Sequence, residues 1–196
     1  MSPSVLTGRA AIERALTALG ERLAHAAAPC SLVVVGGAAI NLLGIVDRPT
    51  RDVDVLARAG TGAKRIAPPD PLPQALREAI AAVARDFGLA SDWLNTAVAD
   101  QWRSGLPPGL AGRLHWSTYG ALTLGLADRQ DLVFFKLYAA ADQTGPESVH
   151  FQDLLALTPT ARELERAAAW VKTQDASPDF HAVLATVVDH ARRSLR

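Results

Sequence analysis

The sequence predicts an α/β (α+β) fold with a helical C-terminal portion, and three observations predict it. A β-branched run at residues 32–35 and a second strand pattern with Val53, Val55 and Leu56 sit among segments of helical period. A glycine pair, Gly36 and Gly37, punctuates the passage from the first run into a short helical pattern. Beyond residue 127 only helical periods and helix-start signals remain. The expected organisation is an α/β core with an N-terminal helix over residues 1–127, and a helical portion over 128–196 packed on that core.

From the N-terminus, residues 8–27 are expected as an amphipathic helix, because Ile12, Leu16, Leu19 and Leu23 recur every three or four positions; Pro29 ends it. Leu32, Val33, Val34 and Val35 have no polar interruption and read as a buried strand. Residues 38–43 suit a short helix stopped by Gly44, and in the second strand Asp52 and Asp54 alternate with Val53 and Val55. Residues 58–73 are rich in Gly and Pro and are expected as loop. A helix over 71–87 would carry Leu72, Leu76, Ile80, Val83 and Phe87 on one stripe. The signal weakens over 88–112, with a helix expected at 92–103 and a loop at 105–112. Strands at 114–119 and 121–127 flank a turn at Gly120, and Gly125 weakens the second. Asp128 caps a helix through 142, with Asp131 in its first turn, and Gly145-Pro146 breaks it. A shorter helix follows over 147–157. Thr158-Pro159 and Ser177-Pro178 open the last two helices as a cap followed by proline. Phe180, Leu184, Val187, Ala191 and Leu195 form the final apolar stripe.

The 196 residues are 49% apolar and 20% charged, enough for a packed core and contrary to wholesale disorder. Twenty basic residues balance twenty acidic ones, which speaks against a general nucleic-acid binder and leaves room for a local basic groove. The single cysteine, Cys30, has no internal partner and reads as a buried spectator thiol suited to a reducing cytosol, so a cytoplasmic location is expected. Arg9, Glu13, Arg14, Glu21 and Arg22 interrupt the N-terminal region and argue against a signal peptide. The apolar stretches are too short to cross a bilayer, so no membrane association is expected.

The chemistry gathers at residues 36–54. Two carboxylates two positions apart on a strand project from one face of the sheet. Held there, Asp52 and Asp54 repel unless a positive charge separates them, and a hard divalent cation, Mg²⁺ or Mn²⁺, is a physical solution. Gly36 and Gly37 lack a Cβ, so backbone can approach a phosphate beside the positive end of the next helix. Arg48 and Arg51 are near enough in sequence to meet phosphate or offset the acids. Alone, an Asp-x-Asp also suits a solvated edge, and Gly-Gly suits any turn. The order strand, glycine turn, helix, strand with paired acids favours a phosphate-and-metal site. Lys136 lies mid-helix among Leu132, Val133, Ala139 and Ala140, and either snorkels to solvent or offers a compact cation to triphosphate. Asp153, between Phe151 and Leu154, reads equally as an exposed helix charge or a functional acid, and His150 as a surface, supporting or cleft histidine.

The run Val35-Gly36-Gly37-Ala38-Ala39, followed by Thr50-Arg51-Asp52-Val53-Asp54-Val55, resembles the signature of the polymerase-β-like nucleotidyltransferase superfamily. More narrowly, it resembles the minimal nucleotidyltransferases that include the AbiEii-type toxins of toxin–antitoxin and phage-exclusion systems. Residues 131–142, with Lys136, and His150-Phe151-Gln152-Asp153-Leu154 are similar to the lysine helix and the downstream Asp-Leu helix of that group. The resemblance implies a nucleotidyltransferase-type mixed twisted sheet flanked by helices, with a nucleotide at Gly36 and Gly37 and a divalent metal on Asp52 and Asp54. It implies that Lys136 faces nucleotide phosphate and that Asp153 lines the cleft or orients Lys136. The activity it implies is nucleotidyl transfer from an NTP to an RNA, a tRNA end in some toxins, or to a protein hydroxyl. An antitoxin is the implied partner protein.

The chain departs from that pattern in two places. A third carboxylate is expected on a later central strand, and neither 114–119 nor 121–126 contains an acid; Gln143 stands where relatives place an arginine. Three readings therefore stay open: transfer with two acids and Lys136, a nucleotide-binding or regulatory module without turnover, and a toxin-like component acting with a partner. Other chemistries lack their motifs, since there is no Gly-x-x-x-x-Gly-Lys-Ser/Thr loop, His-Glu-x-x-His helix or Gly-x-Ser-x-Gly elbow. Trp93, Trp102, Trp116 and Trp170 are expected to pack rather than stack on bases, and Arg192, Arg193 and Arg196 to form a solvated helix end.

Overall fold

The computed structural model describes residues 4–60, 65–143 and 145–195. Part of the expected 58–73 loop, and Arg196 of the basic tail, lie outside the described residues. The chain divides into two compact units: Met1–Trp102 with Ala111–Ala127, and Arg103–Leu110 with Asp128–Arg196.

In the first unit, β1 (Leu6–Thr7) leads into α1 (Gly8–His25), whose stripe Ile12, Leu16, Leu19 and Leu23 is fully buried. β2 (Cys30–Val35) passes directly into α2 (Gly36–Leu42), and Gly44, at φ +72°, follows the end of that helix. β3 (Pro49–Thr50) pairs antiparallel with β1 as a separate ribbon. β4 (Val53–Ala59), β5 (Ile66–Ala67), α3 (Gln74–Phe87) and β6 (Leu94–Asn95) come next. A 3-10 turn (Ala97–Asp100) and the short α4 (Gln101–Ser104) then lead towards β7 (His115–Tyr119) and β8 (Leu122–Leu126). The twisted sheet has the order β5-β4-β2-β8-β7, with β6 also on β4. It is mixed: β2 is antiparallel to β4 and parallel to β8, and β6 is parallel to β4.

Three local expectations are corrected here. The 92–103 segment is not one helix, because long-range contacts override its weak local preference. Leu94 and Asn95 pair with Val53 and Asp54; the fully buried Trp93 donates from Nε1 to the Ile80 carbonyl (3.1 Å), and Trp102 donates to the Leu56 carbonyl (2.7 Å). Leu72 precedes α3, and Phe87, its last residue, remains 40% exposed instead of joining the buried stripe. Gly125 does not weaken β8: it stands opposite Trp116, and the place a Cβ would take is 2.8 Å from the indole. The glycine makes room for a cross-strand aromatic ring.

The second unit is helical. α5 (Arg129–Asp142) is capped by Asp128, which accepts from the Gln130 N–H at 2.9 Å. α6 (Val149–Ala156) is capped by Ser148, and α8 (Pro178–Ser194) by Ser177 with proline at its first position. α7 (Ala161–Val171) begins later than Thr158-Pro159 suggests, since Thr160, not Thr158, is its cap. The Thr160 hydroxyl accepts from the Glu163 N–H, and the Glu163 carboxylate accepts from the Thr160 N–H, a reciprocal capping box. Trp170 meets Phe134, Phe135 and Tyr138 edge-on at 5.7, 5.8 and 6.4 Å, and its Nε1 donates to the Gly105 carbonyl. Among the described residues no helix is long and apolar enough to cross a membrane.

Candidate functional site

β2 reaches α2 without an intervening loop because Gly36 adopts φ +73°, the left-handed region that a side chain disfavours. The sheet register sets Val35 opposite Asp54 on one side and Asn95 opposite Asp54 on the other. Asp54 therefore stands where three strands meet beside the start of α2. A Cβ on Gly36 would fall on Asp54 Oδ2, so the bare glycine lets the carboxylate lie against the turn. A Cβ on Gly37 would stand 2.9 Å from Thr50 Oγ1 and 3.3 Å from Arg48 Nη2. Both glycines are buried, and the space they leave is used by the chain's own acid, hydroxyl and guanidinium.

Asn41, a fully buried residue that the sequence reading passed over, fastens the approach to the acids. Its Nδ2 donates to the Gly37 carbonyl (2.9 Å), and its Oδ1 accepts from the Arg48 N–H (3.1 Å). The available signal was one amide in an otherwise apolar seven-residue helix. Arg48 also donates to the Pro49 carbonyl, and Thr50 Oγ1 to the Asp52 carbonyl (3.3 Å). The Val53 N–H donates to the Trp93 carbonyl at 2.6 Å, fixing the start of β4. The expected alternation holds here: Val53 and Val55 are fully buried, whereas Asp52, just before β4, and Asp54 are half-buried. Arg48 is half-buried and Arg51 exposed.

Among the described residues no group of three or more His, Cys, Asp or Glu side chains forms a metal cluster. Two carboxylates are nevertheless a fitting donor set for Mg²⁺, which keeps several waters and is commonly held by one or two carboxylates together with substrate phosphate. The pair alone offers too few ligands for an ion in an all-protein cage. Cys30, expected as a buried thiol, is half-buried; burial pushes its thiol above the ordinary range, with Arg58 offsetting part of the effect.

Lys136 and Asp153 belong to the second unit, where the structure brings them together. Lys136 neither snorkels nor does Asp153 lie on an exposed helix face; they are 4% and 1% exposed. Lys136 Nζ is 2.8 Å from Asp153 Oδ2. Leu132, Val133, Leu137 and Ala140 around the lysine, and Phe151 and Leu154 around the acid, bury these faces of α5 and α6. Neither charge is tolerated there without the other. His150 Nδ1 is 3.5 Å from the same Nζ, and His150 Nε2 is 3.1 Å from Gln143 Oε1.

A mixed, twisted sheet flanked by helices, with paired acids at the start of β4 and a helical region at the C-terminus, is an α+β fold of the nucleotidyltransferase type. Residues 17–104 match the family described as nucleotidyl transferase AbiEii toxin, Type IV TA system. Over this segment, a little under half of its length, the chain is similar to a nucleotidyltransferase family. The match runs from within α1 to the end of α4, so it takes in the glycine turn and the Asp pair but stops short of Lys136 and Asp153. No curated protein and no solved structure matches the chain.

Proposed function

We propose that the chain transfers a nucleotidyl group from an NTP, with Mg²⁺ or Mn²⁺, to a hydroxyl of an RNA such as a tRNA end, or of a protein. The observation that carries this reading is Asp54 lying against Gly36, inside the segment that matches a nucleotidyltransferase family. Asp52 and Asp54 would hold the cation. When bound, the cation offsets charge at the α-phosphorus and favours ionisation of the attacking hydroxyl. Arg48 and Arg51 donate charge-assisted hydrogen bonds to phosphate, and Gly36 makes room for the Asp54 carboxylate beside the turn. Lys136 gives a further cation to the polyphosphate, and Asp153 fixes its ammonium. The acceptor oxygen bonds to the α-phosphorus as the bond to the β-phosphate oxygen breaks; pyrophosphate departs, and the hydroxyl proton passes to solvent. The protein acts in the cytoplasm, and the family description supports a toxin role with an antitoxin as partner.

The test supplies each α-³²P-labelled NTP in turn to the protein with total RNA and protein, under Mg²⁺ or Mn²⁺. Label should appear on an acceptor and vanish in Asp52→Ala/Asp54→Ala. A second reading, nucleotide binding without turnover, is favoured by one observation: neither β7 nor β8 carries an acid. Metal-dependent NTP binding by the folded protein with no labelled acceptor would select it.

A further inference from the structure

We propose that His150 is a positioning residue for Lys136, held by Gln143 as the Nε2–H tautomer, so that His150 and Asp153 together aim one N–H of the ammonium at a phosphate oxygen. The proposal rests on the reading that Lys136 meets polyphosphate; the geometry behind it lies wholly within the second unit.

An ammonium has three N–H donors and no acceptor. Asp153 Oδ2 accepts one at 2.8 Å. His150 Nδ1, 3.5 Å from Nζ, accepts a second only through a lone pair, because a protonated Nδ1 would set donor against donor. The proton of the neutral ring then sits on Nε2. That atom faces Gln143 at 3.1 Å, where the amide presents its oxygen. The turned amide would bring its NH₂ against the ring N–H, so the lysine at one end dictates the orientation of the glutamine at the other.

The spacing explains how four residues reach one another. Lys136 and Gln143 are seven positions apart, two turns along α5 and its C-terminal cap. His150 and Asp153 are three apart, one turn of α6, and so share a face. A 3-10 turn (Gly145–Glu147) joins the two helices. The chain of contacts runs outward, from Asp153 and Lys136 in the interior to the half-buried His150 and the exposed Gln143. With two donors of the ammonium held, the direction of the third is set without a further contact.

The test begins with the tautomer, read in the full-length protein by long-range ¹H–¹⁵N NMR above the ordinary imidazole range, with His150→Asn identifying the resonance. Nε2–H is expected; Nδ1–H, or a mixture of the two, overturns the proposal whatever the fate of the functional reading. The second measurement is the affinity for Mg²⁺·NTP by direct titration. His150→Leu should weaken binding about tenfold, the loss of one charge-assisted contact, with little change in thermal midpoint. His150→Asn keeps an acceptor in place of Nδ1 and should recover most of the loss. Unchanged affinity in His150→Leu overturns the positioning role. The control is Lys136→Met/Asp153→Leu, which removes both buried charges so that the fold survives. Wild-type affinity in that variant would instead overturn the reading of Lys136 and the role of His150 with it, leaving the tautomer as measured.

Discussion

At the scale of single residues, Gly36 and Gly37 look alike in the sequence and differ in the structure. Gly36 sits at φ +73° with the Asp54 carboxylate where its Cβ would be; Gly37 has no such backbone constraint and faces a hydroxyl and a guanidinium that can yield. Gly36→Ala should therefore cost about 1–2 kcal/mol of stability from the left-handed backbone alone. Because the acid must also move, metal-dependent nucleotide affinity should fall by an order of magnitude or more. Gly37→Ala should cost less on both counts. Urea denaturation and nucleotide titration of the two variants check this, and equal losses would mean that Asp54 is not what Gly36 accommodates. The alternation of Asp52 and Asp54 with two buried valines was legible from residue type alone, as was the glycine turn. Asn41 was not, because beside the Gly37 carbonyl one turn back in α2 it binds the Arg48 N–H, which only the folded loop brings near it.

At the scale of elements, what could be read depended on how local the cause was. The stripe of α1, the run of β2 and the Ser177 cap of α8 are written in adjacent residues and were legible. β6 depends on Trp93 reaching a distant carbonyl, so no period announced it, and of the helix expected over 92–103 only the last turns, with Trp102 on the Leu56 carbonyl, are helical. The Lys136–Asp153 pair joins two helices; no local period shows it, and only the family resemblance suggested that Asp153 orients Lys136. Its burial makes a definite prediction: Lys136→Met or Asp153→Leu alone should cost about 3–5 kcal/mol, and the double variant much less than the sum. A double-mutant cycle by chemical denaturation measures the coupling, and additive losses would show that the pair is not desolvated. The cap of α7 predicts a pH effect. Burial works against ionisation of Glu163, yet hydrogen bonds from Thr160 and the Arg129 guanidinium outweigh it and hold the carboxyl below its ordinary value of 4.5. The folded state thus binds the proton less readily than the unfolded chain, so the stabilisation is present above 4.5 and is lost as pH falls through the lower folded value. Glu163→Gln should lower stability at neutral pH by about 0.5–2 kcal/mol, and its deficit should shrink in acid. Denaturation series at several pH values give the sign directly.

At the scale of the whole molecule, the charge balance limits how an acceptor is recognised. With twenty basic and twenty acidic residues the chain exerts little net field on a polyanion, so an RNA acceptor has to be held by a few local contacts. On the proposed reading an NTP is different, since its phosphates would bring the cation that Asp52 and Asp54 are suited to hold. A ligand bound only by the folded state stabilises it by mass action, about 2.7 kcal/mol at a hundred times its dissociation constant. Thermal unfolding in saturating Mg²⁺·NTP should therefore move upward, while Mg²⁺ alone moves it little, because two carboxylates fill only part of a magnesium shell. In Asp52→Asn/Asp54→Asn the increment from Mg²⁺·NTP should disappear at nearly unchanged side-chain volume. An increment that survives in this variant would locate nucleotide binding away from the Asp pair. One that requires no metal would point instead to arginine and lysine contacts as the basis of recognition, and to a site that binds nucleotide without the cation that transfer demands.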